Sequence, residues 1–326
     1  MTMPRLLPLC KVALLALAAF GLCLSTGFAE WQRDDNSIAW VNGTNVFWRF
    51  SFDPAKGKPF FHPVAPGGGT PLTNFKPADH PWHYGLWFSW KYINHPGETN
   101  HVNYWEEDRT TGNAQGKTRW KTPAIKTKAD GSATIRMDLT YVNPSTNTDM
   151  TEAREIKVSA PDADGSFMID WTAHFTVGKK AVILDRTPML GEPEGAVNGG
   201  YAGLSARMVP LPVTMSVITI DGPPAAFVSN RTRPNAAAVA CNFTDGSKDL
   251  GSLAFFTDPN NAGKDASWYI ISSQQMPFIC EALLAPKPRA VAANGKFTLR
   301  YRIGVSPRAW TQADLEAGQQ KWLKGK

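Results

Sequence analysis

Strict alternation of apolar and polar side chains recurs along the chain. From Ser132 to Tyr141 the apolar set is Ala133, Ile135, Met137, Leu139 and Tyr141, with Thr134, Arg136, Asp138 and Thr140 between them. Phe167, Ile169, Trp171, Ala173, Phe175 and Val177 repeat the pattern, as do Phe297, Leu299, Tyr301, Ile303 and Val305. Successive side chains on a strand point to opposite faces, so these runs predict long antiparallel strands with one buried face each. The turn-forming stretches Ala129-Asp130-Gly131, Asn143-Pro144-Ser145, Asp162-Ala163-Asp164-Gly165 and Ala293-Asn294-Gly295 separate them. The expected fold is all-β, a large antiparallel β-sandwich. One strand, Thr151 to Val158, breaks the rule: Glu152 and Arg154 share the parity of Ile156 and Val158. Its charged end either faces solvent or floors a pocket.

A short C-terminal helix closes the chain. Thr311 is placed to cap it, Asp314 sits in the capping-box position, and Leu315, Trp322 and Leu323 form an apolar stripe. With no internal repeat and no linker, residues 30–326 are expected to form one domain.

Residues 1–29 read as a signal peptide: Arg5 and Lys11, an apolar stretch from Val12 to Leu24, then Gly27-Phe28-Ala29 before the expected cleavage. The chain is therefore expected to be exported, periplasmic or secreted. No other apolar run approaches the ~20 residues of a spanning helix. The formal charge of +6 falls to +4 without Arg5 and Lys11, and the basic residues are scattered. That distribution argues against nucleic acid and allows a mild preference for anionic ligands. Cys241 and Cys280 remain after cleavage and are expected to form a disulfide, the alternative being two buried thiols.

The chemistry concentrates in one stretch. Five of the six histidines, His62, His80, His83, His95 and His101, lie there with Trp82, Trp87, Trp90, Trp105, Glu106 and Glu107. Imidazoles titrate near neutral pH, so placing them beside carboxylates and indoles provides acid/base groups next to flat apolar surfaces, which suits a sugar. Pro81 and Gly85 make the His80 to His83 segment a turn, and a histidine in such a turn is expected to add little to the core. His95, His101 and His174 read individually as hydrogen-bonded structural groups. Downstream, Glu192-Pro193-Glu194-Gly195 and Asn198-Gly199-Gly200-Tyr201 join acids to glycines that let backbone approach a ligand closely.

Phe61-His62-Pro63-Val64, Asp79-His80-Pro81-Trp82-His83-Tyr84-Gly85-Leu86-Trp87, Asn103-Tyr104-Trp105-Glu106, Glu194-Gly195-Ala196-Val197-Asn198-Gly199-Gly200-Tyr201, Asp258-Pro259-Asn260-Asn261 and Arg300-Tyr301-Arg302 together resemble an exported bacterial family labelled PmoA-like, or methane oxygenase. The resemblance implies a galactose-mutarotase-like supersandwich and a setting of polysaccharide degradation. Three functions compete. In the first, a carbohydrate-active lyase, epimerase or hydrolase, His83 is the general acid or base, His80 its partner, and Glu194 or Glu106 the opposing carboxylate. Trp82, Trp87, Trp105 and Tyr201 would stack on the sugar, and Arg207, His62, Asn103 and Asn198 would bind its polar groups. In the second, a glycan-binding protein uses the same surface without catalysis. In the third, a mononuclear oxygenase, His80, His83 and Glu106 hold a divalent metal. The first two readings need no cofactor.

Overall fold

The alternating segments become the longest strands of the computed structural model, Ala133–Val142, Thr148–Val158, Phe167–Val177 and Lys296–Ser306. The structure describes residues 29–98, 100–210, 213–224, 226–262 and 266–325. The expected signal peptide lies outside these residues apart from Ala29, which opens the strand Ala29–Arg33. The described residues build two antiparallel sheets of nine strands and a third of three.

The long strands pair side by side in one sheet, whose order is Thr214–Thr219, Ala238–Asp245, Lys248–Thr257, Lys296–Ser306, Phe167–Val177, Thr148–Val158, Ala133–Val142 and Lys117–Trp120. Ala124–Thr127 also pairs with Ala133–Val142. The facing sheet runs Ala29–Arg33, Ser37–Asn42, Asn45–Ser51, Phe60–Val64, Leu86–Ser89, Gly203–Arg207, Phe278–Glu281, Trp268–Ile271 and Arg231–Thr232. Aromatic rings lock the two together: Phe61 lies 6.4 Å from Trp171, and Phe88 lies 5.8 Å from Phe175. Each such side chain, taken wholly out of water, contributes about 2–3 kcal/mol.

This facing sheet is covered on both sides. Leu86, Phe88, Leu204, Ile270 and Ile279 enter the core between the sheets, while Trp87, Tyr269, Ile271, Phe278 and Cys280 pack in a second apolar layer outside it. A strand buried on both faces has no reason to alternate, so these segments read as continuous apolar runs. The small sheet Arg289–Val291, Val182–Asp185 and Tyr92–Asn94 stands apart from both large ones. The helix Gln312–Lys324 forms as expected, with the Thr311–Asp314 capping box closed, and packs Leu315 and Trp322 on Phe256 and its neighbours.

Two expectations are corrected here. Cys241 and Cys280 are free. Cys241 sits in the core between the sheets and Cys280 in the layer outside, so a sheet separates thiols that a disulfide would need within about 7 Å, Cα to Cα. Burial pushes both thiols up to about 12. The inward-facing charged side chains of Thr148–Val158 are not solvated. Glu152 and Arg154 are sealed inside, with the guanidinium Nε 2.5 Å from one carboxylate oxygen and Nη2 2.9 Å from the other. Tyr141 donates to the same carboxylate, and Arg154 lies over the Trp171 ring at 4.6 Å.

A second buried acid gives a pH prediction. Glu281 is fully enclosed, and burial pushes its carboxyl up to about 7, against the hydrogen bond from Thr257 that favours the anion. Between the ordinary glutamate value of 4.5 and about 7 the folded chain keeps a proton that the unfolded chain gives up. Its contribution is therefore full at low pH and is lost as pH rises through that window, by roughly 3 kcal/mol. Glu281→Gln, which cannot ionise, is expected to flatten the melting temperature between pH 5 and 8 relative to the parent. Parallel profiles for the two proteins would refute this.

Candidate active site

The histidine segment folds as two successive turns. The His80 N–H donates to the Pro77 carbonyl and the His83 N–H to the His80 carbonyl, both at 3.0 Å. Gly85 follows at φ +71°, where an added Cβ would lie 2.4 Å from the Phe61 carbonyl oxygen, so only glycine lets the turn press against Phe60–Val64. The turn thus lies over the outer apolar layer of the doubly covered sheet. There His80, Trp82 and His83 border a cavity of about 260 Å³. Trp105 and Glu106 reach it from the next loop, and Asn198 and Tyr201 from the glycine-rich one. Segments separated by about a hundred residues therefore share one site. Among its walls the sequence reading missed Arg231, Tyr269 and Phe278.

His80 is held by a carboxylate. Asp79 Oδ2 lies 2.9 Å from His80 Nδ1, and both Asp79 oxygens accept from Arg207 Nη2, at 3.1 and 2.8 Å. Burial raises the Asp79 carboxyl, but the His80 hydrogen bond and the guanidinium more than offset it, so the group stays below the usual carboxylate range. An ionised Asp79 fixes the proton of His80 on Nδ1 and leaves the Nε2 lone pair free.

His83 differs. It is 3% exposed, its ring 4.6 Å from His80 and 5.1 Å from Phe278 at shallow angles. Burial, reinforced by the charges of His80, Arg207 and Lys58, drives its proton affinity well below the ordinary histidine value, so it is neutral at neutral pH. Arg207 Nη1 lies 3.5 Å from its Nδ1. A guanidinium nitrogen always carries hydrogens, so the lone pair of His83 faces Arg207 and its proton sits on Nε2. The expectation that this turn histidine adds little to the core is overturned, because the ring is packed on both faces.

Glu106 is held as an anion. Lys91 Nζ lies 2.7 Å from Oε2, Asn103 donates to the same oxygen at 2.9 Å, and the Tyr201 hydroxyl donates to Oε1 at 2.7 Å. Burial raises its carboxyl, and Lys91, Tyr201 and Asn103 together lower it further than burial raises it. Burial and the adjacent carboxylate raise the Tyr201 phenol, which stays a donor. Ring contacts connect the two sides of the site: His83 meets Trp105 edge-on, and Trp105 meets Tyr201 at 5.1 Å.

The other expected site residues stand elsewhere. Trp87 is fully buried beneath His83 and Trp105, so its ring offers no stacking face to a ligand. Arg207 lies behind the histidines, spent on Asp79 and the Gln275 carbonyl. Asn103 orients Glu106 and accepts from the Trp105 and Glu106 backbone. His62 bonds Thr73 Oγ1 and stacks on Phe75, with burial pulling it down to about 4. Glu194 is exposed on its turn at φ +57° and is not among the cavity walls. The loop glycines serve backbone rather than ligand: a Cβ on Gly199 would lie 1.9 Å from the Pro188 carbonyl oxygen. His95 bonds Ala181 and Asp149, His101 bonds Asn94, and His174 bonds Thr298.

The donor set does not fit a metal. Stacked rings 4.6 Å apart cannot both aim a nitrogen at one ion about 2.1 Å away, and Nδ1 of each is already engaged. Among the described residues no group of three His, Cys, Asp or Glu is placed to hold one. A wider groove, about 890 Å³, crosses the outer face of the other large sheet beside Arg136 and His174. Arg136 pairs there with Glu155, at 2.5 Å.

Fold and site define a two-sheet β-sandwich with a histidine and carboxylate cavity outside one sheet. The chain belongs to the DUF6807 family, described as a family of unknown function, which matches residues 38–319; that match does not show the PmoA-like assignment. No curated protein matches the chain. Among solved structures it is similar to an α-galactosidase from Lactobacillus brevis, with TM-score 0.44 and 7% identity, over 86% of this chain and 39% of that one. A galactose mutarotase related enzyme from Lactobacillus acidophilus gives 0.38 and 6%, over 85% and 97%. A polysaccharide lyase gives 0.36 and 10%, over 92% and 35%. The chain spans about two fifths of the length of the first galactosidases it matches.

Proposed function

We propose that the chain is an exported carbohydrate-active enzyme that works on one sugar ring by proton transfer. The observation that carries this reading is that His80, hydrogen-bonded to Asp79 behind it, lines a ring-sized cavity together with a neutral His83. His80, its Nδ1 proton held by Asp79, takes a proton from substrate at Nε2. His83 supplies a neutral N–H to the substrate oxygen on which negative charge develops, without becoming an acid of matching strength. Glu106 accepts hydrogen bonds from hydroxyl groups, and the half-buried Trp82 and Tyr201 give the ring its apolar faces.

This division of labour favours epimerase or lyase chemistry over hydrolysis. A glycosidase of the two-carboxylate type needs one carboxyl that arrives protonated. Glu106 is held ionised by Lys91, and Glu194 lies outside the cavity.

Incubating the purified protein in D₂O with native and oxidised mono- and oligosaccharides tests the proposal. The expected result is deuterium incorporation beside a carbonyl or anomeric carbon, or an unsaturated product, seen by NMR and mass. Sugar binding without exchange or product in any of them would leave a glycan-binding protein.

A further inference from the structure

We infer that Arg231 makes this cavity select a sugar bearing an anionic substituent, such as the carboxylate of a uronic acid. This rests on the sugar reading above and adds the substrate class.

Arg231 is delivered by a tight two-residue turn. Val228 and Arg231 exchange both backbone hydrogen bonds, at 2.9 and 3.0 Å, across Ser229 and Asn230, whose φ angles are +49° and +60°. Its guanidinium is then oriented at two points: Nε donates to the Tyr269 hydroxyl at 3.1 Å and Nη1 to the Ser229 carbonyl at 2.9 Å. Tyr269 is itself fixed from another direction, by the Arg233 guanidinium 4.1 Å from its ring. A side chain anchored in this way is a preorganised wall of the cavity.

Charge supplies the second half of the argument. Lys91 is matched by Glu106 at 2.7 Å and Arg207 by Asp79 at 2.8 Å, while Lys58 and Lys76 share Glu107 at 3.0 and 3.2 Å. Among the described residues no carboxylate forms an ion pair with Arg231 or Arg233. His83 is neutral and adds nothing to either side of this balance. Among the described residues, the cavity wall therefore holds Arg231 without a carboxylate partner. A planar guanidinium in a partly desolvated site binds a carboxylate or sulfate oxygen pair far better than a hydroxyl.

Calorimetry tests this with uronic-acid disaccharides, their neutral parents and the corresponding sugar sulfates, on the parent protein, Arg231→Gln and Arg231→Lys. The parent is expected to bind the uronides at least about tenfold more tightly than the neutral sugars. Arg231→Gln should erase that margin; it also gives up the bonds to Tyr269 and Ser229, so the ratio of charged-sugar to neutral-sugar affinity is the readout. Arg231→Lys should keep part of the margin, because the charge stays and the fork is lost; it carries the comparison if the Gln variant melts early. Tighter binding of sulfates than of uronides would support anion selection and name sulfate as the substituent. Equal affinity for neutral and charged sugars, unmoved by either substitution, would overturn the inference and leave the sugar reading standing. Binding of no sugar at all would overturn both.

Discussion

His80→Gln is expected to lower turnover by about 10²- to 10⁴-fold while leaving the melting temperature and ligand affinity close to the parent's. His80 is the only histidine of the cavity with a carboxylate on one ring nitrogen and a lone pair on the other, which is the arrangement a general base requires. Its side chain is 31% exposed, so removing it opens no internal void. Asp79→Asn should also lose activity, and it should be less stable. Arg207, 1% exposed, would then face a neutral amide where it now holds a carboxylate. His83→Gln should be the least stable of the three, because it takes a ring out of the stack between His80 and Phe278. Turnover measured beside thermal melts separates these outcomes. A fully active His80→Gln protein would remove His80 from the mechanism and return the base role to another group.

The parts of the fold that were legible are those with one wet face. Phe167–Val177 and Ala133–Val142 announce themselves by period two because each contributes every second residue to the core and the others to solvent. The helix Gln312–Lys324 was legible for a local reason, its capping box. Trp268–Ile271 and Phe278–Glu281 carry Tyr269 and Phe278 into the cavity, yet both strands are buried on two faces and show no alternation. A run such as Trp268-Tyr269-Ile270-Ile271, free of polar residues, was the one available sign of a doubly covered sheet. Arg231 stood beyond reach because its place in the cavity wall and the ion pairs around it, such as Lys91 with Glu106, are made by the fold. His80, His83, Glu106 and Tyr201 could be picked from residue type and clustering. The difference between the two imidazoles could not, since it follows from Asp79 facing one ring and Arg207 the other. Trp87 shows the opposite failure: its type suits sugar stacking, and its strand buries it.

Glu152→Gln is expected to destabilise the chain by about 3–5 kcal/mol, the usual consequence of removing one partner from a buried ion pair. Glu152 and Arg154 are both almost wholly enclosed, and the carboxylate accepts two guanidinium hydrogens and the Tyr141 hydroxyl. Without the negative charge, Arg154 remains inside with only a neutral amide and the face of Trp171, and its Nη1 already has no hydrogen-bond partner. Replacing both members, Glu152→Leu with Arg154→Met, is expected to recover most of the loss, because the desolvation penalty disappears along with the attraction. Urea unfolding at neutral pH on the parent, the single variant and the double variant gives the comparison. A single variant within about 1 kcal/mol of the parent would mean that water reaches the pair and that this end of the sandwich is open. A double variant no better than the single would assign the stability to the Tyr141–Glu152 hydrogen bond and the packing of Arg154 on Trp171.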